Sequence, residues 1–244
     1  MSEIIPAIIA KDFNELKEKI KLVERRAKTV QLDVMDGIFV SDKTWPLDSF
    51  LDHGSGLAQG KPSVNDLEKL ETNLFLEAHL MVDNPHRVLN EWLNSKVGRV
   101  ILHWEAIEKI HNHEILPYKT QVGAGFPISN LAQEAHRNNK EFGVALNLET
   151  PITVLNNFIS EIDMVLLMSV KPGQGGQKFE ESVIPKIILL RQKYPDVKIG
   201  VDGGVNKENI LKLAEAGAGF LVVGSAIFAD DDPAKALEDF KKII

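Results

Sequence analysis

Two aspartates stand inside otherwise apolar stretches: Asp33 in TVQLDVM (29–35) and Asp202 in KIGVD (198–202). A carboxylate in a buried strand needs a partner or a task, because an unpaired buried charge is costly. These stretches carry few cations, so salt bridges do not supply the reason. His79, in LFLEAHLMV (74–82), adds a ring nitrogen. One nitrogen and two carboxylates are a donor set for a divalent metal. A lone buried His is commonly just a satisfied core residue; the flanking carboxylates tip the reading toward a metal. His103 and Glu105 are read as a local hydrogen-bonded pair, with catalysis as the alternative. Met35, Met81 and Met168 fall at the ends of apolar runs, where together they would floor a substrate site. The remaining histidines (53, 86, 111, 113 and 136) are read as solvated.

A second chemistry comes from glycines. Gly173-Gln174-Gly175-Gly176, Gly203-Gly204 and Gly224-Ser225 each follow an apolar run. Bare backbone N–H groups in such loops bind phosphate. Any one pair is as well explained by a tight turn; three such loops on neighbouring strands favour phosphate.

These residues need elements to position them. Apolar runs occur at 4–10, 29–35, 74–82, 98–104, 142–148, 164–170, 198–202 and 219–224, rich in Val, Ile and Leu, as strands buried on both faces should be. Amphipathic segments lie between most of them, among them 13–25, 180–194, 206–216 and 232–243. Eight strand–helix units in 244 residues predict a single α/β domain, a (β/α)8 (TIM) barrel over 1–244. An open doubly wound sheet is the alternative. In the barrel, chemistry sits where strands end, and loops after strands 7 and 8 form a phosphate site. Residues 119–126 read as part of an insertion or as a ninth strand, followed by a helix over about 130–139 with Ser129 as N-cap.

Composition excludes several classes. The 35 acidic and 28 basic residues give a net charge of −7, against nucleic-acid or anionic-membrane binding. No cysteine is present, which removes disulfides, thiolate metal sites and thiol nucleophiles. No apolar run reaches the ~18 residues of a membrane span. MSEIIPAIIAKDF reads as a first strand, not a signal peptide, so a cytoplasmic protein is expected.

Taken in order, LDVMDGIFV (32–40), AHLMV (78–82), HWEA (103–106), VALN (144–147), MSVKPGQGGQKF (168–179), VDGGV (201–205) and GSAIF (224–228) resemble the ribulose-phosphate 3-epimerase family, over nearly the whole chain. The resemblance implies a (β/α)8 barrel that interconverts D-ribulose 5-phosphate and D-xylulose 5-phosphate. It implies Asp33 and Asp202 as the catalytic pair, one removing the C3 proton and the other returning a proton to the opposite face. It implies a divalent metal (Zn, Fe, Mn or Co) held by Asp33, His79 and Asp202 to stabilise the enediolate. It assigns Met35, His79, Gly173, Gln174, Gly175, Gly176, Gly203, Gly204, Gly224 and Ser225 to substrate and phosphate. The family usually forms homo-oligomers.

The chain departs from the family pattern. Gln31 stands where a metal-binding His is usual, Ala7 where a Ser is usual, and Gln174 where the phosphate loop usually has an aromatic. Two insertions, at about 41–64 and 106–128, follow strands 2 and 4 and should overhang the catalytic face. Three alternatives to the pentose-phosphate epimerase follow: an enzyme of another ketose phosphate such as a hexulose 6-phosphate, a catalytically silent sugar-phosphate-binding barrel, and a Schiff-base aldolase using Lys171. Decarboxylase chemistry is disfavoured, because strand 3 reads EAHLMV without the Asp-x-Lys-x-x-Asp pattern of those relatives.

Overall fold

A computed structural model describes residues 2–46, 62–112 and 127–244. Eight parallel strands close into a barrel in sequence order: β1 (Glu3–Ile8), β2 (Thr29–Met35), β3 (Phe75–Met81), β4 (Arg99–His103), β5 (Glu141–Leu146), β6 (Met164–Met168), β7 (Lys198–Asp202) and β8 (Phe220–Val223). The helices are α1 (Phe13–Val23), α2 (Leu89–Leu93), α3 (Trp104–Asn112), α4 (Pro127–Arg137), α5 (Val183–Lys193), α6 (Ile210–Ala216), α7 (Ser225–Phe228) and α8 (Pro233–Lys241). The (β/α)8 expectation holds, and the open-sheet alternative falls.

The period of two explains how apolar strands carry polar chemistry. In β2, Val30, Leu32 and Val34 face the helices within the large outer core. The alternate residues Gln31, Asp33 and Met35 face the lumen. In β3, Leu76, Ala78 and Leu80 face out, which leaves Glu77, His79 and Met81 inside. The middle of the lumen is apolar, filled by Ile5, Ala7, Ile101, Ala145, Met164, Leu166, Met168 and Val222. Polar groups gather above and below this plug.

Several boundaries differ from the sequence expectation. Asn206 Oδ1 accepts from the backbone N of Glu208 and Asn209, an alternative to helix, so the helix expected from 206 begins at Ile210. Two short 3-10 turns, Ile152–Leu155 and Ile159–Glu161, replace a helix between β5 and β6. Pro151, the β-branched run Ile152-Thr153-Val154 and Asn156-Asn157 there favour turns over α-helix. Ser129 is not an N-cap: α4 starts at Pro127, and the Ser129 hydroxyl donates to Glu161 Oε1 at 2.8 Å. Residues 106–112 of the segment read as an insertion belong to α3, which follows β4 directly. Residues 119–126 and most of 41–64 lie outside the described residues, as do His53 and His113.

Candidate active site

Asp33 and His79 are register partners across β2 and β3, and Asp202 ends β7. Only β1 and β8 separate β2 from β7 around the closed barrel. The two carboxylates therefore approach one point from different sides. His79 Nδ1 lies 3.2 Å from Asp33 Oδ1 and 3.4 Å from Asp202 Oδ2. Gln31 Nε2 donates to both of those oxygens, at 2.8 Å each. Asp33 Oδ2 and Asp202 Oδ1 stay outside these bonds. Burial, reinforced by the charge of Asp202, raises the Asp33 carboxyl above its usual range, against hydrogen bonds from His79 and Gln31. Burial alone would lower His79, but hydrogen bonds and charge from Asp202 and Asp33 outweigh it and raise the imidazole to about 9.

The site has the donors a divalent ion needs. One ligand atom each from Asp33, His79 and Asp202 lie within 4.8 Å of one another. Gln31 adds a specific observation: its Oε1 is buried without a hydrogen-bond partner while its Nε2 faces both carboxylates. A 180° turn of the carboxamide would put that oxygen among the carboxylates, an arrangement that only a cation between them makes favourable. The donor set of one imidazole, two carboxylates and a carboxamide therefore fits a divalent metal.

Behind His79 lies a second histidine. His103 Nε2 is 2.9 Å from His79 Nε2, and His103 Nδ1 is 3.3 Å from Glu105 Oε2. The local His103–Glu105 pair is present. Its junction with His79 was not legible, because it depends on how β3 and β4 are staggered. Glu105 Oε1 accepts from Asn147 N at 2.9 Å and from the Thr150 hydroxyl. Burial pushes the Glu105 carboxyl up, but the bonds from His103 and Thr150 prevail and hold it below its usual range. Burial lowers His103. Lys186 Nζ donates to the carbonyls of Asn147 (2.7 Å) and Leu148 (3.3 Å) beside it.

A cavity of about 290 Å³ opens on this centre. Asp33, His79 and Asp202 line it, together with Met35, Met81 and Met168. All three glycine loops reach the same cavity: Gly173, Gln174, Gly175, Gly176, then Gly203 and Gly204, then Gly224 and Ser225. Every residue expected for metal, catalysis or phosphate thus borders one space. Gly203 and Gly204 need to be glycine, with φ +112° and +61°. A Cβ on Gly204 would stand 2.7 Å from the backbone N of Phe179. Ala7 also lines the cavity, where a Ser was the usual residue.

One lining residue escaped the sequence reading. Lys19 is the only Lys or Arg among the described residues that borders the cavity. From α1 its Nζ donates to the Ile9 carbonyl at 2.7 Å and pairs with Glu15 at 2.8 Å. Its position on the polar face of an amphipathic helix carried no signal. Lys171, by contrast, is exposed and does not line the cavity, so the aldolase reading loses its nucleophile. Of the histidines read as solvated, His86 is half-buried and its imidazole is lowered by that burial. His136 Nε2 is 2.8 Å from Asp163 Oδ2.

Residues 3–228 match the model of the ribulose-phosphate 3 epimerase family. The chain belongs to this family. A ribulose-phosphate 3-epimerase of Bacillus subtilis is 33% identical over 247 residues, covering 99% of each chain. One of Schizosaccharomyces pombe is 30% identical over 244 residues, 100% of this chain and 94% of that one. A chloroplastic ribulose-5-phosphate-3-epimerase of Arabidopsis thaliana is 34% identical, covering 98% and 77%. This member of the ribulose-phosphate 3-epimerase family is accordingly an isomerase, acting in sugar-phosphate epimerisation. Among solved structures, 3-hexulose-6-phosphate synthase from Salmonella typhimurium superimposes with a TM-score of 0.63 at 16% identity, covering 99% and 97%. KGPDC from Streptococcus mutans gives 0.64 at 13%, covering 100% and 97%. These two share the fold. Among the described residues no helix is long and apolar enough to cross a membrane.

Proposed function

We propose that this epimerase-family barrel inverts C3 of D-ribulose 5-phosphate to give D-xylulose 5-phosphate, and runs the reverse. The observation that carries the reading is the meeting of Asp33 and Asp202, from β2 and β7, in a cavity that three glycine loops also line. Epimerisation needs a proton acceptor on one face of the carbon and a donor on the other. Two carboxylates arriving from different strands meet that need. One aspartate takes the C3 proton; the bond electrons form the C2–C3 double bond and leave negative charge on the C2 oxygen. The other aspartate, protonated at that moment, delivers its proton to the opposite face. In the return direction the roles exchange.

Asp33, His79 and Asp202, with Gln31 Oε1 once turned, are the residues that would hold a divalent metal. Such an ion supplies positive charge where the oxyanion develops. Met35, Met81 and Met168 give the sugar an apolar floor and keep water from the reacting carbon. Gly173, Gln174, Gly175, Gly176, Gly203, Gly204, Gly224 and Ser225 would hold the phosphate through main-chain N–H groups. Lys19, which also lines the cavity, would add positive charge there.

The test is an assay of the purified protein on D-ribulose 5-phosphate and on a hexulose 6-phosphate. Formation of D-xylulose 5-phosphate, with little turnover of the hexulose, supports the proposal. Preference for the hexulose phosphate overturns the substrate assignment. No turnover of either sugar leaves a silent sugar-phosphate-binding barrel.

A further inference from the structure

We propose that Glu105, acting through His103, decides which nitrogen of His79 carries the proton, and so makes His79 Nδ1 the ligand atom of the metal centre. This rests on the metal reading above. The Nε2 atoms of His79 and His103 are 2.9 Å apart, with both rings buried. That contact requires one nitrogen to donate and the other to accept. Nothing in the pair itself chooses the direction. Glu105 does. An ionised carboxylate only accepts. Its Oε1 is anchored by Asn147 N and the Thr150 hydroxyl, and its Oε2 faces His103 Nδ1 at 3.3 Å. His103 must therefore carry its hydrogen on Nδ1. Neutral His103 then offers a lone pair at Nε2, and His79 must donate through its own Nε2–H. The remaining nitrogen, His79 Nδ1, faces the Asp33 and Asp202 oxygens, so it is the atom whose hydrogen an ion between them would replace. Run in reverse, the chain would leave His79 Nε2 without a hydrogen, and giving up the Nδ1 hydrogen to an ion would then cost the ring its last proton. Glu105 and His103 are positioning residues here. Groups behind a metal-binding histidine commonly fix its tautomer, and losing them typically costs about 10- to 100-fold in metal affinity.

Replacing Glu105 by Gln reverses the chain without emptying the space. In Glu105→Gln the amide oxygen still accepts from Asn147 N and Thr150, and the amide N–H faces His103 Nδ1. His103 must then donate from Nε2, and His79 must accept there. The experiment measures Zn²⁺ affinity by competition with a chelating dye for wild type, Glu105→Gln and the double variant Glu105→Gln/His103→Gln, each checked for folding by circular dichroism. Affinity is expected to fall about 10- to 100-fold in the single variant. It should largely recover in the double variant, because a carboxamide at 103 can turn its oxygen to His79 Nε2–H whatever stands at 105. In ¹⁵N spectra of the zinc-loaded wild type, His79 should be protonated at Nε2 and His103 at Nδ1. Unchanged affinity in Glu105→Gln overturns the inference, as does a loss that the double variant does not repair, or a proton on His79 Nδ1 in the loaded protein. If Glu105→Gln fails to fold, the wild-type spectrum decides. A wild type that binds no zinc contradicts the metal reading itself, and the inference falls with it.

Discussion

At the residue scale the chemistry depends on a few lumen-facing positions. Asp33, His79 and Asp202 were legible in the sequence because each is a polar residue where an apolar strand leaves no ordinary place for one. Replacing either aspartate by Asn keeps the shape and removes the proton carrier. Turnover should fall by at least about 10²-fold, the low end for a lost general acid or base. Near wild-type kcat in either variant would remove the pair from the mechanism. Gln31 faces both carboxylates with a neutral amide. Gln31→His would supply a second imidazole, and Zn²⁺ affinity should rise; an unchanged value in a dye competition would place residue 31 outside the metal's reach. Lys19 and the His79–His103 junction were not legible. The first is one Lys among many on helix faces, and the second depends on three-dimensional stagger. Lys19→Met should raise KM for the sugar phosphate with kcat little changed, the pattern of lost uniform binding.

At the element scale the strands announced themselves and the connections did not. Eight Val/Ile/Leu runs are buried on both faces of a parallel barrel, so hydrophobicity alone located them. A helix start was misplaced where a side chain competes for backbone hydrogen bonds, as Asn206 does, and 3-10 turns stand in for a helix where Pro151 and β-branched residues favour them. The Gly203-Gly204 turn was legible because a positive φ and close packing leave few other residues possible there. Gly204→Ala puts a methyl against the Phe179 main chain. It should weaken sugar-phosphate binding and lower the melting temperature; a variant with wild-type KM and melting point would contradict the packing. Lys186, in the first turns of α5, ties that helix to the end of β5. Burial lowers its ammonium to about 8, against the attraction of Glu105 and Glu149. The unfolded chain, with Lys near about 10.4, binds more protons between these values. Its contribution is thus present above about 10.4 and lost as pH falls through about 8. The stability of wild type minus that of Lys186→Met, from urea titrations, should decline over that interval and stay flat below it.

At the scale of the whole molecule the barrel has two polar poles separated by an apolar plug. The pole at the strand starts is structural. Arg99, buried between the rings of Phe75 and Phe220, pairs with Glu77 and with Glu141 (2.6 Å), which also binds Lys198 (2.6 Å). Burial still raises the Glu77 carboxyl to about 7, against the pull of Arg99. Arg99→Ala would strand that acid, and a loss of about 3–5 kcal/mol in chemical denaturation is expected, as for other broken buried pairs. A loss below about 1 kcal/mol would show that the pair contributes little. The pole at the strand ends holds the two aspartates, and the claim that most needs testing is that they move a proton at C3 of a pentose phosphate. The direct measurement is NMR of D-ribulose 5-phosphate incubated with the protein and divalent metal in D₂O. Deuterium entering at C3 as D-xylulose 5-phosphate forms, with no D-xylulose 5-phosphate formed by Asp33→Asn or Asp202→Asn, is the predicted result. A protein that leaves C3 fully protonated, with metal present and the sugar bound, would contradict the account.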